Sequence, residues 1–587
     1  MQTTWNLGLL YKNENDPAIE KDLAAIEAAY AAFEKKYRKA DFTATPAALA
    51  KAFRDYVAML ELANGSKPWW YFALRQQLNA EDAHATATAT AYSQRLSAAG
   101  NKTVFFSLAI GKIPPAKHKA FLKDPQLAPY AYFLKRIFLG AKHQLSEGEE
   151  QLEELLLQTS YTMWVDGQEK LLNAQMVEWK GEQIPIAEAL ALVADLPKKD
   201  RRALSQKVNA VFRSISHFAE AEINAVYTYK KVMDERRGYA KPYDATLLAY
   251  ESDETAVLAL VSAVTKHFKI SRRFYAVHAR LLGEEKIMMA DRNAKVGTIG
   301  TAFDFETSVA LTKQAFARIG QKYVDVLDSY IANGQIDVYP RKGKTGGGFC
   351  WGQGALPTFV LLNHADAVRS VETLAHEMGH AIHTEFSKPQ PAHYRSYSTA
   401  TAEVASTFFE QVLIEELEHA LPEKDRFVLL HNKISGDIST IFRQIACFNF
   451  ELELHGMIRT KGQVTAAEIA ALLVKHMGAY LGDAMQIDED DGYFFVNWSH
   501  IRRFFYVYSY AYGQLVSRAL YENWKKDPSY AKKIEQFLSA GGSASPEDIF
   551  KSIGVDTRDP AFFEAGLKGI EADIKKLEKL AKKLGKI

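Results

Sequence analysis

The chain has 587 residues, of which 48% are hydrophobic, 24% charged and 12% aromatic, enough apolar material to bury large cores without disulfide or metal staples. Its 72 Lys and Arg balance 71 Asp and Glu, so no net field points to nucleic acid or an anionic membrane as the main partner. Two cysteines, Cys350 and Cys447, are too few for a disulfide framework or a thiolate-rich zinc module and fit a reducing compartment.

The first residues lack a basic stretch followed by an apolar one, and no uninterrupted apolar run reaches about 18 residues, so the expected location is cytoplasmic. Residues 17 to 40 place Pro17 behind Asn15 and Asp16 and then space Ile19, Leu23, Ile26, Tyr30, Phe33 and Tyr37 as a capped amphipathic helix does. Residues 152–163, 187–196, 204–232, 254–282 and 302–331 favour helix on length and on Ala, Leu, Glu and Lys content.

The fold class predicted is therefore mainly α. A small sheet interrupts it, where residues 335–339, 348–351 and 358–362 are short, β-branched or aromatic, and parted by Gly and Pro. Turn chemistry at residues 181–185 and 196–200 places a boundary near 190, giving an N-terminal helical lobe over 1–190 and a second domain over 191–587. Ser545, Pro546, Glu547 and Asp548 start a short helix. Residues 570–587 form a Lys-rich amphipathic helix striped by Ile574, Leu577, Leu580 and Leu584; the acids Glu571, Asp573 and Glu578 interrupt its basic face, which favours a solvated helix over a membrane-binding one.

His376-Glu377-Met378-Gly379-His380 is an HExxH sequence inside a helical pattern of Val368, Val371, Leu374, Ala375, Met378 and Ile382, with Asp366 as an acid at its start and Pro389 and Pro391 beyond its end. Imidazoles four residues apart project from one helix face and reach one cation. A catalytic zinc site needs a third protein ligand, and the metzincin solution fails because His383 and Phe386 stand where a Gly and a third His are required. The expected third ligand is Glu403, in the first turn of a helix over 400–418; Glu410, on the same face, is the rival ligand or an acceptor for an imidazole N–H. Glu377 is placed to act as general base on the metal's water. His383 reads as a packing histidine.

These two segments, with Ala402-Glu-Val-Ala-Ser-Thr407, resemble the M3 zinc metallopeptidases, the family of thimet oligopeptidase and oligoendopeptidase F, and specifically the oligoendopeptidase F branch. The likeness extends to the Gly-rich residues 344–349, to 357–363, to His500 with residues 505–513, and to 537–543 with 554–556. It implies a two-lobed helical body with a deep channel, one Zn²⁺ per chain, and cleavage of short unstructured peptides. It maps the ligands onto His376, His380 and Glu403 and the base onto Glu377, and it makes His500 and tyrosines among Tyr506, Tyr508, Tyr510 and Tyr512 candidates for contacting the scissile carbonyl. Tyr506 and Tyr510, as i, i+4 partners, are favoured for that role, and Gly347, Gly348, Phe349 and Tyr508 for holding substrate.

Gly343-Lys344-Thr345 ends like a phosphate loop, but Val338 occupies the position of its first Gly, which excludes a nucleotide cradle. The strand over 358–362 is expected at a sheet edge, where an extended peptide can pair with it. The rival readings are an exopeptidase, for which Arg395, Arg502 or Arg503 would hold a chain terminus, and a non-catalytic peptide-binding protein with a vestigial zinc site.

Overall fold

The computed structural model describes residues 1–63 and 66–587. The chain is mainly helical, as its periodicity predicts, but several predicted single helices are pairs. The run over 204–232 is divided between Lys198–Ser214 and Ser216–Arg237 at Ile215, that over 254–282 at His267, and that over 302–331 at Gly320, between Phe305–Ile319 and Gln321–Asn333. In each case one residue leaves the helical region while the apolar stripe continues beyond it, so periodicity alone reports one element.

The chain forms two compact units, each assembled from three segments: residues 1–142, 301–420 and 520–554 in the first, and 143–300, 421–519 and 555–587 in the second. Residues 143–190, expected with an N-terminal lobe, cluster instead with the second unit. The turn residues near 181 and 185 mark a local hairpin, in which Met176–Trp179 pairs antiparallel with Glu182–Pro185. Turn chemistry reports chain reversal, and compactness depends on contacts distant in sequence.

The first unit contains the sheet expected from the sequence. β1 (Ile336–Asp337) runs parallel to β3 (Phe359–Leu361), and β2 (Phe349–Trp351) runs antiparallel to β3, in the order β1-β3-β2. The strand over 358–362 is therefore central and not an edge, which corrects the expectation. Phe359, Val360 and Leu361 are all buried, so no alternation marks a free face; β1 and β2 are the two edge strands, β1 buried and β2 half-buried throughout. Trp5 caps the sheet by donating Nε1–H to the Val360 carbonyl at 2.7 Å, and it packs in a core with Trp70, Tyr71, Phe72, Phe359 and Leu361. Lys344, from the stretch that imitates a phosphate loop, is instead buried against Asp337, Nζ to Oδ1 2.7 Å, and donates to the Tyr339 carbonyl.

The sheet precedes α1 (Val368–Ser387), which packs on α2 (Thr399–Ala420). Asp366 is outside the first turn of α1, contrary to expectation: its φ is 52°, and Ala367 is the capping residue. On α2, Glu415 accepts hydrogen bonds from Arg318 Nη2 at 2.9 Å, Lys525 Nζ at 2.7 Å and Tyr521 Oη at 2.7 Å.

In the second unit the C-terminal helix, Pro560–Lys583, buries Ile574, Leu577 and Ala581 and packs on helices Glu254–Lys266 and Glu423–Asp437. Its interrupting acids are engaged: Asp573 pairs with Lys433 and Arg518, and Glu578 with Arg273 and Arg280. Among the described residues no helix is long and apolar enough to cross a membrane.

Burial raises the Glu415 carboxyl, but Lys525, Tyr521 and Arg318 more than reverse this and hold it at about 2 against an ordinary 4.5. A carboxyl lowered by folding adds stability that is complete above its unfolded value and is lost as pH falls through the folded one. Glu415→Gln should therefore lower Tm at pH 7 by about 1–2 °C, and the gap from the parent should close between about pH 4.5 and 2. A gap that stays constant across that range in thermal melts contradicts the assignment.

Candidate metal centre

The metal-ligating geometry arises where α1 meets α2. Val371, Leu374, Ala375, Met378 and Ile382 bury one face of α1, and His376 and His380 project together beside it, ring centroids 4.9 Å apart. Glu403 reaches them from α2: one carboxylate oxygen is 3.7 Å from His376 Nε2 and the other 4.0 Å from His380 Nε2. Donor atoms of these three side chains all lie within 4.8 Å of one another. A tetrahedral zinc site with bonds near 2.1 Å has donor separations of about 3.4 Å, so a small contraction would close the set on a cation.

Gly379 makes the approach possible. A Cβ there would stand 2.6 Å from the Ser406 Cα and 3.2 Å from the Ala405 carbonyl oxygen, so only glycine allows the α2 backbone this close. The requirement is for space, and φ at this position is helical.

The charges favour a dication. Glu410 accepts from His376 Nδ1 at 2.8 Å, which fixes the ring and leaves Nε2 toward Glu403. It thus occupies the acceptor position that the sequence left open to it. Burial lowers His376, but Glu410 outweighs this and the imidazole is raised. His380 is pulled down to about 3 by burial, with His376 and His383 adding to the effect, and so stays neutral with a lone pair to donate. Burial pushes Glu377 up to about 7; Glu403 and Glu410 add to this, while His376 and the Cys350 N–H oppose it. Glu372, one turn before His376, is likewise raised to about 7 by burial and Glu410. Four carboxylates thus crowd two imidazoles, and the donor set of two imidazoles and one carboxylate is one that Zn²⁺ favours.

His383 is not part of the set. Its ring is buried and stacks on Tyr397 at 3.7 Å, as expected of a packing histidine. Gly348 lies beside Glu377, where a Cβ would stand 3.6 Å from Oε1, and Gly347 has φ 77° in the turn leading to Phe349.

The second unit brings together His500, Tyr506 and Tyr510. His500 Nδ1 hydrogen-bonds Tyr506 Oη, Tyr510 Oη lies 3.4 Å from Tyr506 Oη, and the three ring centroids are 5.5–5.7 Å apart. Tyr506 precedes α3 (Tyr508–Lys526) and is not inside a helix, yet it meets Tyr510 as the spacing predicts. Tyr508 does not join them. It is fully buried and its hydroxyl donates to Ser252 Oγ at 2.7 Å, so the expectation that it holds substrate is corrected to a core role. Tyr512 is similarly spent on Thr557 Oγ1 at 3.1 Å.

Sequence reasoning missed how this group is held. Phe504 and Phe505 have φ of 49° and 60°, a left-handed conformation that non-glycine residues avoid and that costs about 1–3 kcal/mol each. Side chains from four helices clamp the backbone there: Tyr227 donates to the Ile501 carbonyl at 2.9 Å, Tyr161 to Arg502 at 2.6 Å, Thr246 to Phe504 at 2.9 Å, and Glu451 accepts the Phe505 N–H at 2.8 Å. A glycine at 504 or 505 would have signalled this turn; two phenylalanines do not.

Comparison with known proteins gives the family. The profile of peptidase family M3 matches residues 198–569, and that of oligopeptidase F matches residues 110–176. The chain belongs to peptidase family M3, in its oligopeptidase F branch, and is a metallopeptidase. It is 27% identical over 519 residues to the group B oligopeptidase PepB of Streptococcus agalactiae, covering 85% of this chain and 84% of that one. It is 28% identical over 509 residues to oligopeptidase PepF of Bacillus subtilis, covering 84% and 75%. In fold it resembles a Chlamydophila abortus protein with a TM-score of 0.85 at 20% identity over 97% of this chain and 98% of that one. It also resembles oligoendopeptidase-F of Enterococcus faecium, with a TM-score of 0.69 at 20% identity over 96% and 98%.

Gly379→Ala tests the close approach. The added methyl should force α1 and α2 apart at a cost of about 1–3 kcal/mol, lowering Tm and reducing bound zinc well below one per chain in elemental analysis. Full zinc content with an unchanged Tm contradicts the packing argument.

Proposed function

We propose that the protein is a zinc-dependent oligoendopeptidase that hydrolyses internal bonds of short unstructured peptides. The observation that carries the reading is the convergence of His376 Nε2, His380 Nε2 and Glu403 on one point, with Glu377 on the same helix. These three side chains would hold the ion. When bound, Zn²⁺ supplies a Lewis acid that polarises a carbonyl and makes water nucleophilic near neutral pH.

The chain's own residues supply the rest. Glu377, buried on the same helix as the two imidazoles, takes the proton from the attacking water and returns it to the leaving amine. The Cys350 N–H supports its charged form. Glu410 holds His376 by Nδ1, so the ring cannot turn its donor nitrogen away. β2, at the rim of its sheet and next to Gly347 and Gly348, offers main-chain groups to an extended peptide, which gives affinity without a demand for particular side chains. The phenols of Tyr506 and Tyr510 and the imidazole of His500 are hydrogen-bond donors suited to a developing oxyanion.

Two of the three arginines that could hold a chain terminus are already occupied. Arg395 makes a two-pronged pair with Glu61 at 2.7 and 2.8 Å, and Arg502 does the same with buried Glu222 at 3.0 and 2.8 Å. This favours internal cleavage over exopeptidase action. The presence of Glu377, buried beside the two imidazoles, favours catalysis over a vestigial site, since a purely structural ion has no use for a base.

A peptide blocked at both ends tests the reading. The zinc-loaded protein should cleave it, and Glu377→Gln should lower kcat by at least about a hundredfold with zinc content unchanged. Resistance of the blocked peptide overturns the endopeptidase assignment, and undiminished turnover by E377Q overturns the role of Glu377.

A further inference from the structure

Within the first unit, the glycine-rich stretch ahead of β2 is pinned from two sides. On one side stands the end of the helix Lys67–Leu78: Gln77 accepts the Thr345 N–H at its carbonyl at 2.9 Å and the Thr345 hydroxyl at Oε1 at 2.9 Å, and the Ala80 N–H donates to the Gly343 carbonyl at 2.7 Å. On the other stands Asn363, two residues beyond β3, whose Nδ2 donates to the Thr345 carbonyl at 2.9 Å and to the Gly347 carbonyl at 2.7 Å. A primary amide has two N–H bonds, and both of those on Asn363 are spent here. From this stretch β2 runs along α1: a Cβ on Gly348 would stand 2.6 Å from Thr373 Cγ2, the Cys350 N–H donates to Glu377, and a Cβ on Gly352 would stand 2.7 Å from Thr384 Cγ2.

In a trans peptide unit the carbonyl and the N–H of the next residue point in opposite directions. Each carbonyl that Asn363 draws toward itself therefore turns an N–H away from it: the Thr345 carbonyl turns that of Gly346, and the Gly347 carbonyl that of Gly348. In an antiparallel pair the two main-chain groups of a residue both face the partner strand or both face away, in alternation. The Cys350 N–H meets Glu377 and so faces away from β3, and Gly348, two residues earlier, falls in the same phase. The Gly348 N–H is thus aimed at the outer edge of β2, on the side of Glu377. Gly346 and Gly347 are exposed, and a Cβ on either would meet no atom within 4 Å, so there is room for another chain to lie against them.

We propose that Asn363 is a positioning residue for the peptide substrate: by holding the Thr345 and Gly347 carbonyls it presents the N–H groups of Gly346 and Gly348 to the substrate's main-chain carbonyls. The proposal rests on the peptidase reading above and deepens it, since Asn363 touches neither the metal ligands nor the substrate and acts through the loop alone. Aspartate has nearly the shape of asparagine but at neutral pH only accepts hydrogen bonds, so it would repel both carbonyls that the amide attracts. A role in packing makes Asn363→Ala the more harmful change; a role as a double donor makes Asn363→Asp the more harmful one.

The test is steady-state kinetics of the full-length, zinc-loaded chain on a peptide blocked at both ends, beside amide hydrogen exchange read by mass spectrometry. N363D should raise KM about tenfold and N363A about threefold, with kcat changed less than about twofold, as expected where binding alone is lost, and with zinc content unchanged. In E377Q, which binds without turnover, the peptide should slow exchange over residues 343–351, and in E377Q/N363D this protection should be lost. A KM for N363D equal to the parent's, a larger KM effect in N363A than in N363D, or a fall in zinc content overturns the proposal and leaves the peptidase reading intact. If N363D does not fold, N363A decides: a raised KM at unchanged kcat supports the proposal, and an unchanged KM overturns it. Failure of the parent itself to cut the peptide overturns the peptidase reading, and this proposal with it.

Discussion

The central constraint on the candidate site is the contact between two helix backbones at Gly379. Two histidines on one helix offer a pair of donors, but the third must come from elsewhere in the chain, and Glu403 reaches them because the backbone of α2 at Ala405 and Ser406 stands where a side chain on α1 would otherwise be. The same approach gathers Glu372, Glu377, Glu403 and Glu410 in a largely buried place. Burial, with the neighbouring carboxylates adding to it, raises the carboxyls of Glu372 and Glu377, and a bound dication would favour their charged forms. Packing and electrostatics therefore point the same way: the helices are held at a separation that is unfavourable in charge unless an ion is present.

The metal half of the site was legible because its signals are local. HExxH on a helix brings two imidazoles together by periodicity alone, and of the two carboxylates on the second helix Glu410 meets His376 Nδ1 while Glu403 lies near both Nε2 atoms. The pairing of Tyr506 with Tyr510 was legible for the same reason, through i, i+4 spacing. What escaped depends on contacts distant in sequence. Tyr508 stands between those two and is indistinguishable from them by type, yet Ser252, over two hundred residues away, takes its hydroxyl into the core. The strand over 358–362 is central because residues 336–337 and 349–351 flank it, and a fully buried strand carries no alternation to show which side is free. Helix breaks at Ile215 and His267 leave no mark because neither residue is a habitual breaker.

The second unit illustrates a different use of folding energy. Two consecutive phenylalanines are held in a left-handed turn by hydrogen bonds from Tyr227, Tyr161, Thr246 and to Glu451. That turn leads directly to Tyr506 and then α3. Strain retained against so many separate partners fixes the direction in which Tyr506 leaves the turn, and with it the hydrogen bond to His500. Glu451 is pushed up to about 8 by burial, so at neutral pH it is held largely as the neutral acid whose oxygen accepts the Phe505 N–H.

X-ray absorption at the zinc edge of the loaded protein tests the central claim most directly. The account predicts a first shell of two imidazole nitrogens and carboxylate or water oxygen at about 2.0–2.2 Å, with no sulfur. A sulfur scatterer near 2.3 Å, placing Cys350 on the ion, or a shell with a third imidazole, placing His383 there, would contradict it.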